Sequence, residues 1–193
     1  ILLSTPTDYS AAIEDGIASL FEELGTEARG ITEFVHATTI ATNTIIERNG
    51  VKVALLTTLG FRDVLELARF RSPRPYDVEF RKPEPLVPRR LRFEVTERIG
   101  ATGSVVQPLD RSALEGIAQA LEREQVSALA ICFVNACANN AHELQATAFF
   151  NARLPGVSVT ASTALLPQLG EYERSSTTVI NAYIRPVVKR YVD

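Results

Sequence analysis

Two runs of aliphatic and β-branched residues, VKVALLTT at 51–58 and VSALAICFV at 126–134, most constrain how this chain can fold. Both are mostly apolar, without the strict alternation of a half-exposed strand. Such strands are buried on both faces, as in a parallel sheet covered by helices on each side. Helical patterns lie between and around them. Ile13, Ile17, Leu20, Phe21 and Leu24 recur at helical spacing after Asp8, a candidate cap, with Gly25 as a stop. The spacing also predicts helices over 39–48, closed by Asn-Gly at 49–50, and over 60–70, 110–125, 139–154 and 171–193, with Pro186 kinking or restarting the last. Further strands are expected at 31–38 and 157–162, and a hairpin is expected from 91–99 and 104–109 around GATG. Strands alternating with helices predict an α/β fold, a mostly parallel sheet with flanking helices.

The 193 residues suffice for one large domain or two small lobes. Two sublobes, 1–69 and 91–193, are one reading, joined by the loop at 70–90. That loop holds five prolines, which exclude a regular helix or a central strand. From Arg69 to Arg92 eight basic residues stand against three acidic ones. The loop reads either as a semi-rigid solvated connector or as an anion-facing or docking surface.

Several classes are disfavoured. A net charge of −3 gives no reason to expect nucleic acid. No apolar run approaches the roughly 18 residues of a membrane span. Cys132 and Cys137 have no companions that complete a metal set, and Cys132 reads as a buried free thiol in a reducing, cytoplasmic setting. The chain has no methionine and begins ILLSTPTDYS, so it is expected to be a piece of a longer protein.

Polar residues crowd one place. FVHATTIATNTIIERNG, residues 34–50, sets His36, Thr38, Thr39, Thr42 and Asn43 between an apolar run and a helix. Such a cluster is either an N-cap or the floor of a site at the carboxyl end of a strand. Neither GxxxxGK[ST] nor GxGxxG occurs here. His142, in NNAHE, reads as helix-start chemistry, with Asn140 as cap and Glu143 at capping-box spacing, and a catalytic role is the second reading. EYERSSTTVINAY is another polar cluster, of interest if it faces the first.

VHATTIATNTIIERNGVKVALLTTLGFRDVLELAR, YDVEFRKPEPLVPRRLRFEVTERI, LPGVSV and EYERSSTTVINAYIRPVVKRY together resemble the N-terminal region of the hydantoinase/oxoprolinase family. The nearest subgroup is the hydantoin-utilisation A subunit, or ATP-dependent N-methylhydantoinase. The resemblance implies cleavage of small cyclic amides such as hydantoins and 5-oxoproline, coupled to ATP hydrolysis with Mg²⁺. It also implies an actin/sugar-kinase-like nucleotide-binding architecture, a B-type partner subunit and an oligomer. Related members are subunits of ATP-dependent ketone carboxylases, which supplies an alternative; a non-catalytic lobe for docking the B-type subunit is a third reading. The family's glycine-rich phosphate element, GxDxGGTFTD-like, is expected just before Ile1, and Ala37 stands where the family usually has glycine. By resemblance, His36 is the catalytic candidate. Thr38, Thr39, Asn43, Asp63, Arg69, Glu173, Arg174, Thr177 and Asn181 are candidates for lining a substrate or phosphate cleft. No metal ligand is assigned.

Overall fold

A computed structural model describes residues 9–25, 29, 32–33, 35, 37–69 and 76–192. In chain order the elements are α1 (Tyr9–Leu24), α2 (Ile40–Ile46), β1 (Val53–Thr58), α3 (Val64–Leu67), β2 (Arg92–Val95), β3 (Arg98–Ile99), β4 (Val105–Gln107), α4 (Arg111–Arg123), β5 (Ala128–Cys132), α5 (Ala141–Arg153), β6 (Ser158–Ala161), α6 (Ser162–Leu165) and α7 (Glu171–Val192). Asp8, His36 and residues 70–75 lie outside the described residues.

The two apolar runs form the middle of one parallel sheet, ordered β2-β1-β5-β6. Leu55 pairs with Arg92 on one side of β1, and Val53 to Thr57 pair with Ala128 to Cys132 on the other. All residues of β1 and β5 are buried. Their side chains alternate between the two faces, so helices must cover both. Helix α7 packs on β5, β6 and β1 with α2, α3 and α6 beside it, while α4 and α5 pack on one another and reach β2, β5 and β6. The expectation of an α/β fold with flanking helices is met. Strand β1 precedes the proline-rich loop and the other three strands follow it, so the two suggested sublobes share one sheet.

Local chemistry explains most boundaries. Asp110 caps α4 by accepting from the Ser112 and Ala113 amides at 3.0 and 3.3 Å; the Ser112 hydroxyl, donating at 2.6 Å, and then these amides hold its carboxyl below the ordinary range. Leu114, Ile117, Ala118 and Leu121 form the buried face of that helix, as their spacing predicts. Helix α7 runs through Pro186 without restarting.

Five sequence expectations need correction. Residues 32, 33, 35, 37 and 38 are not in a strand; Val35 is exposed, and a strand needs a neighbour's ladder to satisfy its backbone. The helix expected over 60–70 is one turn, ended by Ala68 at φ 52°, while Asp63 bonds to Arg89 and makes no side-chain cap. The 91–99 run divides. β2 joins the main sheet, and β3 pairs antiparallel with β4 after Glu97 turns inward. At α5, Asn140 makes no side-chain cap. Asn139 bonds to the Ala141 amide at 3.0 Å, and Glu143 points into the core.

The fifth correction concerns Asn49-Gly50. The left-handed residue after α2 is Arg48, at φ 54°, with the Asn49 amide donating to Thr44 in a Schellman-type closure. Gly50 is required for space instead: a Cβ there would lie 2.3 Å from the Tyr183 ring. Gly50→Ala is therefore expected to destabilise the protein by about 1–3 kcal/mol through overpacking. Urea melts of the variant measure this, and Tyr183→Leu in the same background should recover part of the loss.

Candidate functional site

Chain order locates the place where a sheet like this binds ligands. From β1 the chain moves to β2 on one side, and from β5 it moves to β6 on the other. The carboxyl ends of β1 and β5 are thus a topological switch point, where the departing connections leave a crevice. All four strands deliver polar groups to that edge.

Thr58 ends β1. Its hydroxyl accepts from the Val134 amide at 2.9 Å, just beyond β5, and donates to Glu97, just beyond β2. The other oxygen of Glu97 meets His142 Nδ1 at 2.7 Å. Thr58, Glu97 and His142 are all buried. With Glu97 as a carboxylate, which only accepts, the proton of that contact sits on His142 Nδ1.

A second set lies beside the first. Glu143 is fully buried and accepts from the Phe133 amide at 3.0 Å, the Ser162 hydroxyl at 2.6 Å, and the Thr163 amide and hydroxyl at 3.0 and 2.8 Å. Arg174, also fully buried, donates to Ser162 Oγ at 3.0 Å and to the Phe133 carbonyl at 2.6 Å. Ser162 thereby bridges a buried carboxylate and a buried guanidinium. Burial pushes the neighbouring Cys132 thiol up, with Arg174 opposing, so this cysteine is an inert core residue.

Above this floor lies a crevice of about 470 Å³ between the β3–β4 turn, the β5–α5 loop and the start of α6. Thr102, Gly103, Cys137, Asn139, Asn140 and Thr163 are among its lining, and no charged residue is. Gly103 is at φ 87°, and a Cβ on it would lie 2.9 Å from the Ala138 carbonyl, so this turn sits directly on the loop.

The residues singled out by sequence are placed elsewhere, apart from Arg174. Thr38, Thr39 and Asn43 are exposed at the start of α2. Thr38 Oγ1 accepts from the Ile40 amide and Thr39 Oγ1 from the Asn43 side chain, and no described bond ties them to α7. Arg69 and Glu173 meet in an ion pair at 2.5 Å, joining the end of the α3 turn to α7. The Glu173 carboxyl is held low first by its own backbone amide and then by Arg69. Thr177 is exposed, and Asn181 Oδ1 is buried without a described partner. His36 is outside the described residues. A separate groove of about 510 Å³, mainly apolar, runs between α2, α3, the 80–86 segment and α7.

Asp63 forms a two-pronged pair with Arg89 at 2.9 and 3.0 Å. The hydrogen bond from Arg89 holds the Asp63 carboxyl below the ordinary range. Its favourable contribution is present above the unfolded carboxyl's pKa and is lost as pH falls through the lowered one. Arg89→Ala is expected to move the Asp63 midpoint upward, read from its carboxyl carbon shift. Lys82 reaches the closing carbonyls of α3, Glu66 and Leu67, and Arg92 pairs with Glu66 at 2.9 Å. Much of the loop's positive charge is thus used within the fold.

ATP and Mg²⁺, which the resemblance implies, can be tested against these groups. The crevice offers no cation, and the Arg174 guanidinium bonds inward. Among the described residues no group of three or more His, Cys, Asp or Glu could hold a metal ion. The described edge suits an uncharged polar ligand and does not suit a triphosphate.

The family described as the hydantoinase/oxoprolinase N-terminal region matches residues 2–154. The caprolactamase subunit alpha of Pseudomonas jessenii is 41% identical over 196 residues, covering 98% of this chain and 28% of that protein. The crystal structure of the ATP-dependent caprolactamase from the same organism superposes with a TM-score of 0.90 at 39% identity, over 99% of this chain and 28% of that one. 5-Oxoprolinase 1 of Arabidopsis thaliana is 27% identical over 220 residues, covering all of this chain and 17% of its own length. The nucleotide-free acetone carboxylase shares the fold, with a TM-score of 0.86 at 22% identity, over 97% of this chain and 29% of that one. The chain therefore spans under a third of the length of these relatives. Among the described residues no helix is long and apolar enough to cross a membrane.

Proposed function

The chain belongs to the hydantoinase/oxoprolinase family, and on that premise we propose that it is a segment of an ATP-dependent cyclic amidohydrolase, contributing one wall of the cleft that takes the ring. The observation that carries this reading is the uncharged crevice at the switch point, set on a floor of buried hydrogen bonds. A lactam, hydantoin or 5-oxoproline ring presents an amide N–H and a carbonyl, and neutral polar walls accept such a ring without the cost of desolvating a charge. The rim is held from within and from the floor: Asn139 donates to the Gly103 carbonyl at 2.9 Å and accepts from the Ala141 amide, and Thr163 bonds to the buried Glu143, while Asn140 is exposed.

ATP, with Mg²⁺, supplies phosphoryl activation of the unreactive amide. Both are held by parts of the parent protein other than the edge described here. Thr38, Thr39 and Asn43 at the start of α2, with Arg69, Glu173, Thr177 and Asn181 around α7, belong in this reading to the side of the segment that faces the rest of the enzyme. A B-type partner subunit completes the active assembly in the cytoplasm.

The experiment is phosphate release by the full-length protein with its partner subunit, ATP and Mg²⁺, using caprolactam, hydantoin and 5-oxoproline in turn. Release that rises with at least one ring, matched by ring-opened product, is expected. Release that requires a ketone and bicarbonate, and never a cyclic amide, would identify a carboxylase and overturn the reading.

A further inference from the structure

We infer that the Asn140 carboxamide reads the ring's own amide, pairing with its N–H and its C=O at once, and so makes the crevice specific for cis secondary amides. The inference deepens the function proposed above and rests on it. Three observations carry it. Asn140 lines the crevice and is exposed there. It stands at the N-cap of α5, where an asparagine ordinarily bonds to the helix, yet its side chain makes no cap bond and no other bond with a described residue. Asn139 has taken over that work, with Oδ1 accepting from the Ala141 amide at 3.0 Å and Nδ2 donating to the Gly103 carbonyl at 2.9 Å.

The other polar side chains of the crevice are spent or unsuited to the task. Both ends of the Asn139 carboxamide are used. The Thr163 hydroxyl and amide both donate to the Glu143 carboxylate, at 2.8 and 3.0 Å, so Thr163 keeps no donor for a carbonyl. Thr102 offers donor and acceptor at a single oxygen, and Cys137 offers a weak S–H donor. Of these side chains, only Asn140 presents an unused N–H and an unused C=O side by side in one plane.

That pattern matches a ring. A lactam, hydantoin or 5-oxoproline ring holds its amide cis, so the N–H and the carbonyl point to the same edge. An open-chain secondary amide is trans and turns them to opposite edges. A cis amide therefore meets Asn140 through two antiparallel hydrogen bonds, ring N–H to Oδ1 and Nδ2–H to the ring carbonyl. A trans amide makes only one of them. The pair uses the carbonyl lone pair on the N–H side. The other lone pair stays open, so this recognition leaves the oxygen accessible to the activation that ATP supplies.

The test uses the full-length enzyme with its partner subunit, ATP and Mg²⁺, and whichever of caprolactam, hydantoin and 5-oxoproline drives phosphate release. Asn140→Ala is expected to raise KM for that ring by about 10–100-fold, the worth of two hydrogen bonds, with kcat within about threefold, because both bonds form before the amide is activated. Its urea midpoint should match that of the wild type, since the side chain caps nothing. The discriminating readout is inhibition by the same ring methylated on the nitrogen of the amide that opens. The wild type should bind the methylated ring about tenfold or more weakly than the unmethylated one, and Asn140→Ala should lose most of that preference. A variant whose KM stays within about twofold of wild type, or one that keeps the wild-type preference, overturns the proposal. A wild type that binds both rings equally overturns it without any variant. A wild type in which no ring raises phosphate release would instead be the failure of the function proposed above.

Discussion

Arg174→Met is expected to lower the stability of the protein by about 3–5 kcal/mol, a large share of the roughly 5–15 kcal/mol that holds a typical domain together. The guanidinium is fully buried, and it satisfies the Phe133 carbonyl and the Ser162 hydroxyl. Through Ser162 it also faces the buried carboxylate of Glu143. Methionine fills much of the volume but leaves that carboxylate without its nearby opposite charge and the carbonyl without a donor. Urea denaturation measures the loss. Glu143→Gln in a double-mutant cycle with Arg174→Met should reveal a coupling of about 0.5–3 kcal/mol, as for residues of one network. Independent, additive effects would mean that the two charges do not sense one another through Ser162.

Thr58→Val carries the second large effect, about 2–4 kcal/mol. Valine matches threonine in shape, so packing at the end of β1 is kept and only the hydroxyl is lost. Two buried partners then stand unpaired, the Val134 amide and one oxygen of Glu97, each costing about 1–3 kcal/mol. Thr58→Ser, which keeps the hydroxyl, should lose much less. The two variants together separate the hydrogen bonds from the methyl group, and thermal melts at one pH suffice to compare them.

These two positions also show where the sequence was legible. The apolar runs at 51–58 and 126–134 announced buried parallel strands because strands covered on both faces leave little room for polar side chains. The amphipathic spacing of α4 was equally local and was readable; its cap at Asp110 was not read. The edge network was not, since its members come from residues 58, 97, 133–134, 142–143, 162–163 and 174 and meet only through the sheet. One signal was available: a polar residue stands at or just past the end of three of the strands, Thr58 after ALLT, Glu97 after FEVT and Ser162 after VSVTA. His142 and Glu143 were read as helix-start chemistry because the capping-box spacing is satisfied, but burial redirected both side chains to strand exits. Likewise Asn49-Gly50 looked like a helix stop, whereas Gly50 serves the close approach of Tyr183, a contact 133 positions along the chain that no local pattern encodes.

Hydrogen exchange by mass spectrometry on the full-length enzyme, with and without a cyclic amide in the presence of ATP and Mg²⁺, measures most directly whether the carboxyl edge is the ring's wall. Amides of the β3–β4 turn and the β5–α5 loop, residues 100–104 and 134–140, should exchange more slowly when the ring is bound, while the 80–86 segment bordering the apolar groove keeps its rate. Protection confined to 80–86 and α7, with the carboxyl-edge loops unchanged, would place the ring in the groove and contradict a site at the switch point.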